Sequence, residues 1–320
     1  MATKPCKTYP GDPRVAAYRG VSDPQLARST RQFVAEGRLV VARVLSDPRF
    51  CVQSVLVNDA AYRELLPLLD AAAPAPDVLL CNTSDFLGIT GVNIHRGCLA
   101  LVERPPEQAV DDVIAGARRA VVLDAVSNPD NVGAIFRNAA AFGVDAIVVG
   151  RGCCDPFYRK AIRTSMGAVL RVPFAQSDDW LTLMPVLRSE GLMSVALTPR
   201  QPSEPLDDFA ARAAGERIAL IAGAEGDGVT PAIESSADAR VRIPIVDAVD
   251  SLNVGVAVGI ALYALRAGRQ GTGDRGHGTG DMGQGTGDMG QGTGDKEIAI
   301  LEPLTASLKT HHGRLPRRSA

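Results

Sequence analysis

The chain has 320 residues, 46% hydrophobic and 22% charged, enough apolar content for two folded units with tails. Aromatic residues make up 4%, and Trp180 is the single tryptophan, which excludes a surface that grips single strands mainly by stacking bases on many rings. A net charge of −2 excludes a polycation, so nucleic-acid binding would need positive charge gathered locally.

Residues 1–30 are rich in Pro, Gly and charge and read as an extended N-terminal lead. Phe33 to Leu45 has a helical pattern, Cys51 to Val57 reads as a buried strand and Ala61 to Leu69 as a helix. Asp77 to Cys81 and Gly97 to Val102 are further strands, so 31–103 forms a small α/β unit. Pro105 and Pro106 break the pattern, and 104–116 reads as a linker.

From 117 to 267 apolar strands alternate with helices. The strands are Ala120 to Ala125, Ala146 to Gly150, Met193 to Leu197, Arg217 to Ala222 and Val241 to Ile245. The helices are Asn131 to Phe142, Trp180 to Glu190 and Leu252 to Arg266. This alternation predicts a parallel sheet covered on both faces. Residues 268–320 differ sharply: four glycine-rich heptads over 271–298 lack the apolar content to offset the entropy of ordering, and a basic ending follows. The repeats and the ending are expected to be disordered.

The six cysteines form no CxxC pair, and His95 alone of the four histidines precedes the tail, so a zinc site is not expected. No secretory segment follows Met1 and no uncharged apolar run has membrane-spanning length, which predicts a cytoplasmic protein with reduced thiols. Positive charge gathers between Arg151 and Arg171, where Arg159, Lys160 and Arg163 form a candidate RNA-binding face.

Three loops carry the candidate chemistry. The first runs from Asn128 to Asn138, between a strand and a helix that Asp130 or Asn131 can cap. Arg137 falls on one stripe with Gly133 and Ala134, too small to obstruct it, so its guanidinium can reach a phosphate bidentately. The second, Gly223 to Val229, has three glycines at the carboxyl end of a strand, where parallel sheets bind ligands. Glu225 there is either a functional hydrogen-bond acceptor or solvated. The third joins Ile243-Pro244-Ile245 to Ser251-Leu252-Asn253, with Asp250 or Ser251 a natural N-cap for the last helix. Gly255 and Gly259 on that helix permit close packing within the chain or across a dimer.

In order and spacing the loops resemble the signature motifs of the SpoU (TrmH-like) branch of the SPOUT RNA methyltransferases. NPDNVGAIFRNAAAFGV resembles the first motif, IAGAEGDGV the second and IPIVDAVDSLNVGVAVGIALY the third. DPFYRKAIRTSMGAVLRVPF resembles the family's intervening segment, and EGRLVVARVL, VQSVLVND and HRGCLALVERP its L30e-like substrate-binding domain. The resemblance covers about residues 30–267. It implies a parallel α/β fold with a C-terminal trefoil knot, preceded by a smaller L30e-like domain. It also implies a homodimer using S-adenosylmethionine (AdoMet).

By resemblance, Gly223, Ile243 and Leu252 hold the cofactor, and Asn131, Arg137, Glu225, Ser251 and Asn253 form the catalytic set. Arg137 matches the family's catalytic arginine. A guanidinium gives up its proton only above about pH 12, so positioning of phosphate and hydroxyl suits it better than general-base work. Ala224 and Gly255 depart from the family's commoner residues and bear on pocket geometry. The implied reaction is methylation of a ribose 2′-hydroxyl in rRNA. Alternatives are a tRNA substrate or a non-catalytic RNA-binding module. A dehydrogenase is disfavoured because no GxGxxG follows the first strand of the larger domain.

Overall fold

The computed structural model describes residues 4–19, 23–90, 97–246, 248 and 251–268. The heptads, the basic ending and His95 lie outside the described residues, as does Asp250. Among the described residues no helix is long and apolar enough to cross a membrane.

The N-terminal layer contains β1 (Cys6–Lys7), α1 (Asp23–Thr30), β2 (Gln32–Glu36), α2 (Arg38–Ser46), β3 (Val52–Val57), α3 (Asp59–Ala71), β4 (Asp77–Leu80), α4 (Asp85–Thr90) and β5 (Cys98–Glu103). Its five strands form a mixed sheet in the order β1-β4-β3-β5-β2. The segment expected to be an extended lead is instead built into this layer. Cys6 and Lys7 pair with β4, and a 3-10 helix over Pro13–Tyr18 buries Val15 and Tyr18. The Tyr18 hydroxyl lies 2.9 Å from the Ser54 carbonyl and accepts from Leu101 N–H at 3.2 Å, so its one polar atom is satisfied inside the core. The helix expected over 33–45 is split. Phe33, Val34 and Ala35 are all buried in a strand, and Gly37 separates that strand from α2.

The second layer contains α5 (Val110–Ile114), β6 (Arg119–Asp124), α6 (Pro129–Phe142), β7 (Ala146–Gly150), α7 (Arg159–Thr164), β8 (Phe174–Ser177), α8 (Trp180–Ser189), β9 (Met193–Leu197), β10 (Glu204–Pro205), α9 (Leu206–Arg212), β11 (Ile218–Gly223), α10 (Pro231–Ser236), β12 (Ala239–Arg242) and α11 (Val254–Ala264). The expected parallel sheet is present, with seven strands in the order β10-β12-β9-β11-β6-β7-β8. β6, β7 and β11 are buried almost end to end, as a sheet covered on both faces requires. The stretch expected to be a linker carries α5, whose Val113 and Ile114 enter the core under β6 and β7.

The two layers share one apolar core, in which Phe33 stacks on Phe157 at 4.7 Å between ring centroids. Burial of rings of this size contributes roughly 1.5–3 kcal/mol each. The contacts come from the segment between the first and second motif loops. Arg159 pairs with Asp23, Arg163 with Glu36, and Arg43 donates to the Gly167 carbonyl. The basic segment therefore spends part of its charge on holding the layers together.

Candidate active site

Each motif loop follows a strand at the same edge of the sheet. β12, β9 and β11 are neighbours, and their carboxyl ends open into a cleft of about 370 Å³. Thr198 and Pro199 line it after β9, Gly223 to Gly226 after β11, and Ile243 after β12; Ser251, Leu252 and Asn253 close it before α11. Thus the structure brings together Gly223, Glu225, Ile243, Ser251, Leu252 and Asn253 of the expected site. The lining from β9 was missed, because strand order is not readable from strand sequences. A rule that ligands sit at adjacent carboxyl ends finds Thr198 only once that order is known.

The second loop is a tight reversal. A Cβ on Gly223 would stand 2.0 Å from the Gly228 carbonyl carbon, so only glycine lets the loop fold back on β11. Gly228 N–H donates to the Ala224 carbonyl at 3.0 Å, and Thr230 N–H donates to the buried Asp124 carboxylate at 2.7 Å. The loop is thereby pinned at both ends while Glu225 projects from its tip.

Asn253 joins all three loops. Its Nδ2 donates to Asn131 Oδ1 at 2.8 Å and to Glu225 Oε1 at 2.7 Å, and its Oδ1 accepts from the backbone N–H groups of Gly255 and Val256. A carboxylate oxygen without a proton only accepts and backbone N–H groups only donate, so this pattern suits one amide orientation. Asn253, and not Ser251, is the N-cap of α11. Asn131 is buried at 4% exposure and its side chain serves this cluster, leaving the capping of α6 to Asn128, which accepts from Asp130 N–H.

Arg137 is exposed on α6 and does not line the cleft, and its side chain has no hydrogen bond or ion pair among the described residues. The expected clearance beneath it has another cause. A Cβ on Gly133 would meet the Ala161 carbonyl of α7 at 2.7 Å, and one on Gly255 would meet Ala134 at 2.9 Å. These small residues serve close packing of α6 against α7 and α11. Gly255 matches that packing, whatever is commoner there. Asn138 completes the α6–α11 contact by donating to the Gly255 carbonyl at 2.8 Å.

Of the expected RNA-binding residues, Lys160 is half exposed and pairs with Asp130 at 2.7 Å. Its ammonium holds the Asp130 carboxyl below the usual carboxylate range. Arg163 is the most exposed of the three, and Arg159 is largely covered by its Asp23 contact. Among the described residues no group of His, Cys, Asp or Glu is placed to hold a metal ion.

Residues 118–263 match the SpoU rRNA Methylase family. The chain is 40% identical over 258 residues to an uncharacterized tRNA/rRNA methyltransferase of Mycobacterium tuberculosis, covering 79% of this chain and 88% of the relative. It is 33% identical to the 23S rRNA (guanosine-2′-O-)-methyltransferase RlmB of Vibrio vulnificus, covering 73% of this chain and 96% of RlmB. The chain belongs to the SpoU family. The AdoMet-bound rRNA methyltransferase of Sinorhizobium meliloti shares its fold, with a TM-score of 0.70, 24% identity and coverage of 83% and 98% of the two chains.

Proposed function

We propose that this SpoU-family protein transfers a methyl group from AdoMet to a ribose 2′-hydroxyl of ribosomal RNA, working in the cytoplasm as a homodimer. The observation that carries the reading is one cleft lined by the second and third motif loops, to which the first is tied through the Asn131–Asn253–Glu225 hydrogen bonds.

The residues present fit the cofactor. Ile243, Leu252 and Leu197 offer apolar walls for a flat base, while the glycine-rich backbone of 223–228 brings peptide groups close to a polar ligand. The cleft volume falls in the usual range for small-molecule sites, roughly 300–1,000 Å³. When bound, AdoMet supplies a methyl group already activated by its sulfonium.

The protein's own contribution is alignment. Asn253 holds Glu225 and Asn131 in fixed positions, and Ser251 shapes the cleft beside them. Arg137 binds the phosphate next to the target ribose and stabilises charge developing on its oxygen, a role that suits a permanently charged fork. Lys160 and Arg163 extend the contact to RNA backbone, and the N-terminal layer, in the place of the family's L30e-like domain, adds a second grip on a structured RNA. The trefoil knot belongs to the same proposal, with the loops after β11 and β12 and the start of α11 as its crossing segments.

The dimer reading rests on α11. Its Val256, Ile260 and Tyr263 form an apolar stripe at helical spacing, 53%, 39% and 54% exposed. Arg137 on the neighbouring α6 stands one residue from Asn138, which packs on α11. Pairing two copies across this face covers the stripe and brings Arg137 to the junction. Titration calorimetry with AdoMet and transfer of labelled methyl to ribosomal RNA test the assignment together. Binding without transfer to any ribosomal RNA would leave a fold without this activity.

A further inference from the structure

One arginine that does not line the cleft reaches the glycine-rich loop from the end of β9. Thr198 and Pro199 line the cleft, and the next residue, Arg200, reaches the backbone of residues 227–229. Its Nη1 donates to the Val229 carbonyl at 2.9 Å and to Glu234 Oε2 at 2.7 Å, and its Nη2 donates to the Asp227 carbonyl. Glu234, on α10, is 6% exposed, and its other oxygen accepts from the Thr198 hydroxyl at 3.3 Å. The circuit closes where Arg200 N–H donates to the same hydroxyl at 3.2 Å.

The loop needs such a brace. Gly226 and Gly228 adopt positive φ angles of 88° and 68°, and a Gly-Asp-Gly stretch left to itself has many competing backbone states. The carbonyls of Asp227 and Val229 are the groups that would swing if those peptides rotated. Arg200 holds both with one planar fork, which a flexible lysine ammonium reproduces only in part. Arg200 is half exposed and sits outside the apolar core, so its partners are this loop and Glu234 rather than the fold at large.

We infer that Arg200, anchored by Glu234, is a positioning residue that preorganises the 223–229 loop for AdoMet. It acts through the loop's backbone, with the Asp227 and Val229 carbonyls as intermediaries. The inference rests on the cleft being the AdoMet site.

Steady-state methylation of ribosomal RNA by the full chain, with calorimetry for AdoMet, tests it. Arg200→Ala is expected to raise KM and Kd for AdoMet about tenfold, equivalent to about 1.4 kcal/mol, with kcat and RNA affinity held within about twofold. Arg200→Lys and Glu234→Gln are expected to fall between that variant and the wild type. Arg212→Ala, which removes an exposed arginine paired with Glu204 away from the loop, is expected to change nothing. An unchanged KM in folded Arg200→Ala overturns the inference, as does a fall in kcat and RNA affinity that matches the rise in KM. Should Arg200→Ala not fold, wild-type KM values in both Arg200→Lys and Glu234→Gln overturn it equally. If the wild type itself binds no AdoMet, the cofactor assignment fails and takes the brace with it; normal wild-type binding with an unaffected variant sinks the brace alone.

Discussion

Asn253 Nδ2 donates to Glu225 Oε1 at 2.7 Å, joining the third motif loop to the tip of the second across 28 residues of sequence. The same amide caps α11, so capping and site geometry share one side chain. Asn253→Asp separates the two. It keeps an acceptor for the cap but sets a carboxylate against Glu225, whereas Asn253→Ala removes both and costs about 1 kcal/mol of cap stability. Both variants are expected to lose on the order of hundredfold in kcat, because misplacement by about 1 Å has that effect on an aligned reaction. Thermal melts beside methylation assays check this: Asn253→Asp with normal activity contradicts it.

Arg137 stands outside the cleft, so its loss is expected to spare the cofactor. Arg137→Ala should lower methylation about 10²–10³-fold, the size of effect seen when a group stabilising transition-state charge is removed. Its AdoMet Kd should stay within about twofold. Calorimetry on the purified variant decides, since a parallel loss of AdoMet binding would place Arg137 in the cofactor pocket.

Two glycines of one loop should respond differently to the same change. Gly223→Ala drives a Cβ into the Gly228 backbone and is expected to abolish AdoMet binding. Gly226→Ala meets no atom within 4 Å, leaving only the strain of its positive φ, on the order of 1–2 kcal/mol. Melting temperatures and AdoMet titrations of both variants measure the contrast.

Much of this site could be read in the sequence, for a physical reason. Strands such as Ala146–Gly150 and Met193–Leu197 are short apolar runs bounded by turn residues, and both match the structure end to end. The loop residues were legible through the order and spacing of the three loops together, since glycines and polar residues at a single strand end are ordinary turn formers and caps. Capping was less legible. Asn128, Asp130 and Asn131 are all competent caps, and only tertiary packing gives the role to Asn128 while drawing Asn131 to Asn253. Gly133 likewise reads as clearance for Arg137 until the backbone of α7 is seen against it. The order within 1–30 is not legible because Val15 and Tyr18 show no period yet are fully buried.

The apolar stripe on α11 gives a test of assembly. Ile260→Asp places a charge at its centre, and desolvating that charge across an interface is costly. Analytical ultracentrifugation should show a dimer for the wild type and a monomer for this variant, with methylation falling alongside. A monomeric wild type at micromolar concentration would remove the dimer from the account.

Burial pushes the Cys153 thiol up to about 11 and the Cys81, Cys98 and Cys154 thiols up to about 12. A thiol whose pKa is raised stays protonated and unreactive through neutral pH, while Cys6 and Cys51 are exposed. Iodoacetamide at pH 7.5 should therefore label Cys6 and Cys51 in the native protein and reach the other four only after denaturation. Mass spectrometry of peptides containing Cys153 and Cys154 reads the result, and rapid native labelling there contradicts the burial.

The central claim, methyl transfer to a ribose of ribosomal RNA, is tested most directly by mapping 2′-O-methyl nucleotides in total RNA from a strain lacking this gene. The account expects one ribosomal ribose methylation to disappear, to return with the wild-type gene, and to stay absent with the Arg137→Ala form. An unchanged ribosomal RNA map, or loss of a methyl group carried on a base, would contradict it.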